Sequence, residues 1–308
     1  MTSVLGTALL ALGVSALLIL PQHLRAASWP TRSPATALLL WQAAFATGLL
    51  GFLGAGIFLG LRPLRADVPH AVVEVANGRL SLGADGTAGR VNTSVLVITL
   101  IAAAAVILCL TRELAHRTRV RRRQRMLVDL VATEDPAWPG VAVVDHSTPT
   151  AYSIPGRPWR IVVTRGLLDE LSEDQVRAVL AHERAHAQQR HQWVTLLFAV
   201  AVRCRVPRAR AAYEEVRGLL EMRADDAVRR THADQTLARA LVHLSRAVSA
   251  VQSPPGSFAA ADRRSVDRVR RLLAPATGPR WLPPVGTTVA ATLVAAPLLA
   301  IALPCLIS

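Results

Sequence analysis

Residues 182–186 read His182-Glu183-Arg184-Ala185-His186, and the rest of the chain takes its meaning from this pentapeptide. It sits in a segment with helical signals. On a helix the two histidines project from one face and can hold one zinc ion, with Glu183 near enough to act on bound water. The spacing implies zinc metallopeptidase chemistry, with Glu183 as general base: it takes the proton during attack and delivers it to the leaving amine.

Ten residues upstream, Ser172-Glu173-Asp174-Gln175 has capping-box form and starts the helix, whose Val176, Val179 and Leu180 make an inward face. Downstream, a metzincin would need glycine three and histidine six residues after His186, and those positions hold Gln189 and Gln192. Glutamate as third ligand is the remaining common arrangement. Glu221, on a helix expected over residues 211–228, is the residue of choice. Asp225 lies one turn on and on the same face, placed to accept the free ring N–H of a zinc-bound histidine. Glu214 and Glu215 read as solvated charges, and Asp226 points elsewhere. On a regular helix His191 diverges from His186 by about 140°, so it reads as structural, as do His116, His146, His232 and His243. Arg229, Arg230 and His232 are candidates for a donor to the oxyanion.

Residues 140–145 read as a strand, 152–156 as a turn, and Ile161-Val162-Val163-Thr164 as a second strand, so a small sheet is implied. Ile161, Val162, Val163 and Thr164 could serve as the edge strand against which an extended peptide pairs. Residues 194–202 are apolar but about half the length a membrane span needs, which suggests a buried or membrane-surface helix. A helix at 231–251 and a basic amphipathic stretch at 262–273 follow.

Hydrophobic residues make up 52% of the 308, which argues that much of the chain lies in lipid. Four runs qualify as spans: 4–20, 35–61, 95–110 with a polar, uncharged lead-in from 91, and 285–307. The expected organisation is three transmembrane helices in 1–111 with an extracytoplasmic loop at 62–93, a zinc peptidase domain at 112–284, and a fourth helix at 285–308. Asn77-Gly78 suits a hairpin turn in that loop. The first span has no basic residue before it, which favours a retained anchor over a signal peptide.

Every one of the 35 basic residues is arginine. Seven fall between Arg112 and Arg125, and six more precede the fourth span. The positive-inside rule then puts both flanks, and the peptidase domain, in the cytoplasm, with the N-terminus outside. The net charge of +14 raises nucleic-acid binding as an alternative, but the arginines cluster beside spans, where topology and anionic lipid account for them, and no recognisable nucleic-acid module accompanies them. The three cysteines suggest no disulfide framework.

Taken together, residues 153–156, 161–168, 180–186 and 221–225 resemble the BlaR/MecR-type integral-membrane zinc peptidases, and the related HtpX and CAAX-prenyl-protease group shares much of this pattern. Three spans before the peptidase domain and one after resembles the BlaR-type layout. The extracellular penicillin-binding sensor of those receptors has no counterpart before Ser308, so β-lactam sensing is unsupported. The fold class implied is a polytopic α-helical membrane protein with a mainly helical α+β zincin domain of gluzincin type. The resemblance carries one zinc ion to His182, His186 and Glu221, the general base to Glu183 and an acidic partner to Asp225. It implies cleavage of a cytoplasmic protein such as a transcriptional repressor. The alternatives are an HtpX-type quality-control protease and a non-enzymatic transducer that keeps the scaffold.

Overall fold

A computed structural model of the chain describes residues 2–61, 87–251, 258–274, 279 and 281–307. The hairpin expected around Asn77-Gly78 lies outside the described residues. Among the described residues, four helices are long and apolar enough to cross a membrane: α1 (Thr2–Ala26), α2 (Pro34–Gly60), α3 (Thr87–Val131) and α11 (Leu282–Ile307). The third is a single 45-residue helix that runs from its apolar half into the arginine-rich segment.

The chain packs as two units. One holds the apolar helices together with residues 197–212. Lipid tails are as apolar as leucine, so helices in a bilayer gain little from hydrophobic burial against each other and associate through close packing. α1 and α2 achieve this through glycine. A Cβ added at Gly51 would lie 2.7 Å from the Leu9 carbonyl oxygen and 2.8 Å from Gly13 Cα, so the contact is backbone on backbone. Thr47 Oγ1 donates to the Leu293 carbonyl at 2.7 Å and ties α2 to α11.

The apolar run expected as a buried or membrane-surface helix is α7 (Leu196–Arg203). Its Phe198 is fully buried, with its ring 4.6 Å from that of Phe45 and 6.3 Å from that of Trp41. This segment thus packs its aromatic side chain among α2 residues.

The second unit comprises residues 112–196 and 213–278. Its sheet contains β1 (Ala132–Glu134), β2 (Val141–Val144), β3 (Ala151–Ile154) and β4 (Arg160–Thr164) in the order β1-β2-β4-β3. β2 and β4 are parallel, with Val141 opposite Ile161, and β3 is antiparallel to β4, with Tyr152 opposite Val162. Two sequence expectations are corrected here. Residues 152–156 are not simply a turn, since 151–154 form β3. Ile161, Val162, Val163 and Thr164 are not an edge strand, since β4 is paired on both sides. Its unbroken apolar run is the mark of a strand buried on both faces. Ile161 and Val163 join Val176, Val179 and Leu180, and Val162 joins Val128 of α3 and Ile154. The free edge on that side is β3.

Helices α4 (Arg165–Glu170), α5 (Glu173–Gln188), α6 (His191–Val194), α8 (Ala209–Val228), α9 (Asp234–Val251) and α10 (Phe258–Leu273) complete the described elements. α5 starts where the sequence predicts, with the Ser172 N–H donating to Gln175 Oε1 at 3.0 Å. Ala178, Val228, Leu237, Ala238 and Leu272 form a core joining α5, α8, α9 and α10.

Replacing Gly51 by leucine should force α1 from α2. Overpacking of this kind costs about 1–3 kcal/mol or more where the neighbour is backbone. The expected outcome is a lowered thermal unfolding midpoint of the detergent-solubilised protein, measured against Gly140→Ala. That position has no atom within 4 Å of an added Cβ, so only its positive φ is strained.

Candidate metal centre

α5 presents His182 and His186 one turn apart, and α8 brings Glu221 to them. His182 Nε2 lies 3.1 Å from His186 Nε2 and 3.3 Å from Glu221 Oε2, and His186 Nε2 lies 3.6 Å from Glu221 Oε1. Ligands held about 2.0–2.1 Å from a tetrahedral zinc ion are roughly 3.3 Å apart. The three donors therefore have the right chemistry and separation for that ion. The remaining ring nitrogens point away from the shared centre, toward other polar groups.

For His182 that group is Asp225, whose Oδ1 lies 3.1 Å from Nδ1. Nδ1 is buried and poorly aligned for a hydrogen bond, so a small ring rotation would complete the pairing expected of a metal-ligating histidine. Asp225 is 1% exposed and takes two hydrogen bonds from Arg268 of α10, from Nε at 2.8 Å and Nη2 at 2.7 Å. Arg268 Nη1 also lies 3.1 Å from Glu221 Oε2. The neighbouring Asp226 pairs separately with Arg271 at 2.6 Å. Two adjacent acids on α8 thus meet two arginines on α10.

For His186 the partner is His191. α5 ends at Gln188, and Arg190 adopts the left-handed conformation at φ 52° and ψ 40°, which turns the chain back. His191 Nδ1 reaches 2.7 Å from His186 Nδ1, while its Nε2 lies 3.0 Å from Gln189 Oε1. One proton placement satisfies every group: His186 donates from Nδ1, His191 accepts at Nδ1 and donates from Nε2 to Gln189. The reading of His191 as merely structural assumed a continuous helix, and the left-handed residue removes that premise.

The electrostatics follow from this packing. Burial alone would push His182 down, but the carboxylates of Asp225 and Glu221 outweigh it and hold the imidazole up at about 9. Burial would raise Glu221 and Asp225. His182, His186 and Arg268 overcome it for Glu221, which stays well below the usual carboxylate range, and Arg268 with His182 takes Asp225 to about 2. Burial first, with the nearby Arg223 adding to it, takes His191 down to about 3 and keeps it a neutral acceptor.

Glu183 is half-buried and lines a cleft of about 310 Å³ with His186, Glu221, Tyr152, Ser153 and Trp159. Arg229 makes paired hydrogen bonds to Asp234, and His232 bonds to Thr231, so neither is among the residues lining this cleft. Arg268 escaped the sequence reading because it sits in a basic stretch that topology already explains. The available signal was its spacing, three residues before Arg271, opposite the Asp225-Asp226 pair.

Residues 114–242 match the family profile described as Peptidase family M48. The chain is 38% identical over 63 residues to the protein named Protease HtpX of Legionella pneumophila (strain Corby), which is 20% of this chain and 22% of that protein. It is 35% identical over 77 residues to a Protease HtpX homolog of Ralstonia nicotianae (24% of this chain, 27% of the relative) and 42% over 62 residues to one of Thermoplasma acidophilum (20% and 19%). The matched stretch thus spans roughly a fifth to a quarter of these relatives' length. No solved structure shows a significant match.

Two outcomes are expected. A histidine held near 9 is protonated at pH 7 and must lose that proton to bind a metal. Zinc titrated into metal-free protein at pH 7 should release about one proton from His182, read by calorimetry in buffers of different ionisation enthalpy. Apparent affinity should tighten about tenfold per pH unit and level off above roughly 9. Asp225→Asn removes the more deeply buried of the two carboxylates that pair with Arg268, leaving it only Glu221, and should cost up to about 3 kcal/mol in denaturant unfolding at pH 7. Because Asp225 is depressed, its contribution is complete above about 3.9 and fades as the pH falls through about 2, so the gap between the two proteins should narrow in acid.

Proposed function

We propose that the chain is a membrane-anchored zinc endopeptidase in which His182, His186 and Glu221 hold one zinc ion and Glu183 is the general base. The observation that carries this reading is the convergence of three donor atoms within 4.8 Å of one another, those of His186 and Glu221 at a cleft that Glu183 also lines. Zinc bound there would polarise the scissile carbonyl and acidify water beside Glu183. Glu183 would take a proton from water in the cleft and return it to the leaving amine. Asp225 and His191 hold the two histidine rings with Nε2 toward the centre, and Arg268 keeps Asp225 and Glu221 charged and in place.

Substrate enters as an extended strand along β3. The Thr164 N–H donates to the Thr150 carbonyl. By antiparallel alternation, Tyr152 and Ile154 also bond inward to β4, and Ala151 and Ser153 turn their N–H and C=O groups to the free edge. A peptide added there pairs through its backbone. Tyr152, Pro155 and Trp159 offer it an apolar wall.

Two biological settings fit. The names of the similar proteins favour a protease of HtpX type, the setting in which broad cleavage of misfolded membrane proteins is expected. The order of apolar helices, three before His182 and one after, favours regulated cleavage of a cytoplasmic protein such as a repressor. Both place the peptidase domain in the cytoplasm.

Glu183→Gln should retain stoichiometric zinc and lose proteolysis of an unfolded test protein by at least about a hundredfold, the lower range for a general base. Equal cleavage by the two proteins would sink the assignment. Peptides captured on the inactive variant in cells separate the two settings, one dominant partner marking regulation and many unrelated ones quality control.

A further inference from the structure

Among the apolar helices, α1, α2 and the turn before α8 enclose a cavity of about 700 Å³. Val14, Leu17, Leu18, Pro21, Gln22 and Arg25 line it from α1 at positions i, i+3, i+4, i+7, i+8 and i+11, one continuous helical stripe about 16 Å long. Phe45 and Phe52 face it from α2. Leu18 is 48% and Phe52 45% exposed, so the cavity opens sideways, where a bilayer would present acyl chains. Polar and charged groups gather at one end: Gln22 and Arg25 on α1, with Arg208 across from them on the turn. The Arg25 guanidinium is seated 5.7 Å over the Trp41 ring, a cation–π contact that restrains it. Arg208 is held at φ 62° directly before α8. No aspartate or glutamate is among the residues lining the cavity.

An elongated apolar slot ending in two arginines, with no acid to neutralise them, matches an amphiphile whose head is an anion. We propose that this cavity binds one anionic phospholipid, its acyl chain along the α1 stripe and its phosphate at Arg25 and Arg208. The headgroup of a zwitterionic lipid carries a compensating cation and loses the advantage. A free phosphate would leave the apolar walls uncovered. A basic residue near an anionic lipid surface contributes a few-fold in binding, so the two arginines together should give roughly a thirtyfold preference.

The test uses the full chain in a neutral detergent, mixed with equimolar phosphatidylglycerol and phosphatidylcholine of identical acyl chains, and counts retained lipid by native mass spectrometry. One phosphatidylglycerol should be kept, in preference to phosphatidylcholine by about the factor above. Arg25→Gln with Arg208→Gln should bring the two lipids to parity, whereas Arg25→Lys with Arg208→Lys should keep most of the preference. Arg119→Gln, an exposed arginine on α3, should change nothing. Parity in the unaltered chain overturns the proposal whatever the variants do, as does a preference that survives the double glutamine variant in folded protein. Displacement of the lipid by millimolar inorganic phosphate alone would overturn it in favour of a simple anion site.

Discussion

The carboxylate of Asp225, almost wholly withdrawn from water, is the constraint on which the candidate metal centre depends. Burying a charge is costly unless it is paired and hydrogen-bonded, and Asp225 meets that condition by joining three helices. Its own helix α8 also carries Glu221, its contact to His182 reaches α5, and its paired hydrogen bonds reach Arg268 on α10. If any of these helices moved away, a buried charge would be left without its partner. The same pairing decides protonation: the carboxylates hold His182 up, and Arg268 holds the carboxylates down. Placement of the donors and their charge state thus come from one set of contacts.

α5 is bounded at both ends by backbone devices with consequences for the site. The capping box at Ser172 sets the helix phase, which puts Val176, Val179 and Leu180 on the sheet and turns His182 and His186 toward α8. At the other end, a non-glycine residue in the left-handed region costs of order 1 kcal/mol or more and persists only where surrounding structure over-determines it. At Arg190 that strained residue brings His191 beside His186. The helix length is thereby matched to the motif, since one further regular turn would carry His191 away from the ring it now supports.

The apolar helices solve a different problem. With little hydrophobic drive between spans, α1 and α2 rely on backbone contact at Gly13, Gly48 and Gly51, and α2 receives Phe198 of α7 against Trp41 and Phe45. Residues 197–212, which include the first residues of α8, therefore group with the apolar helices, although in the sequence they lie between His186 and Glu221.

What the sequence determined by itself was whatever depends on spacing along one element. The 3.6-residue period placed His182, Glu183 and His186, one helical turn linked Glu221 to Asp225, the cap at Ser172 started α5, and apolar length marked the four spans. What only tertiary structure decided was whatever depends on which elements meet. Ile161 to Thr164 reads as a strand in either setting, and its interior position follows from having partners on both sides. Arg268 resembles its neighbouring arginines until α10 packs on α8. His191 points away from the site on any ideal helix and points into it only because the backbone reverses at Arg190. Local periodicity fixes direction within an element, while burial of a charge, strand order and the end of a helix are set by contacts between residues far apart in the chain, which no local pattern records.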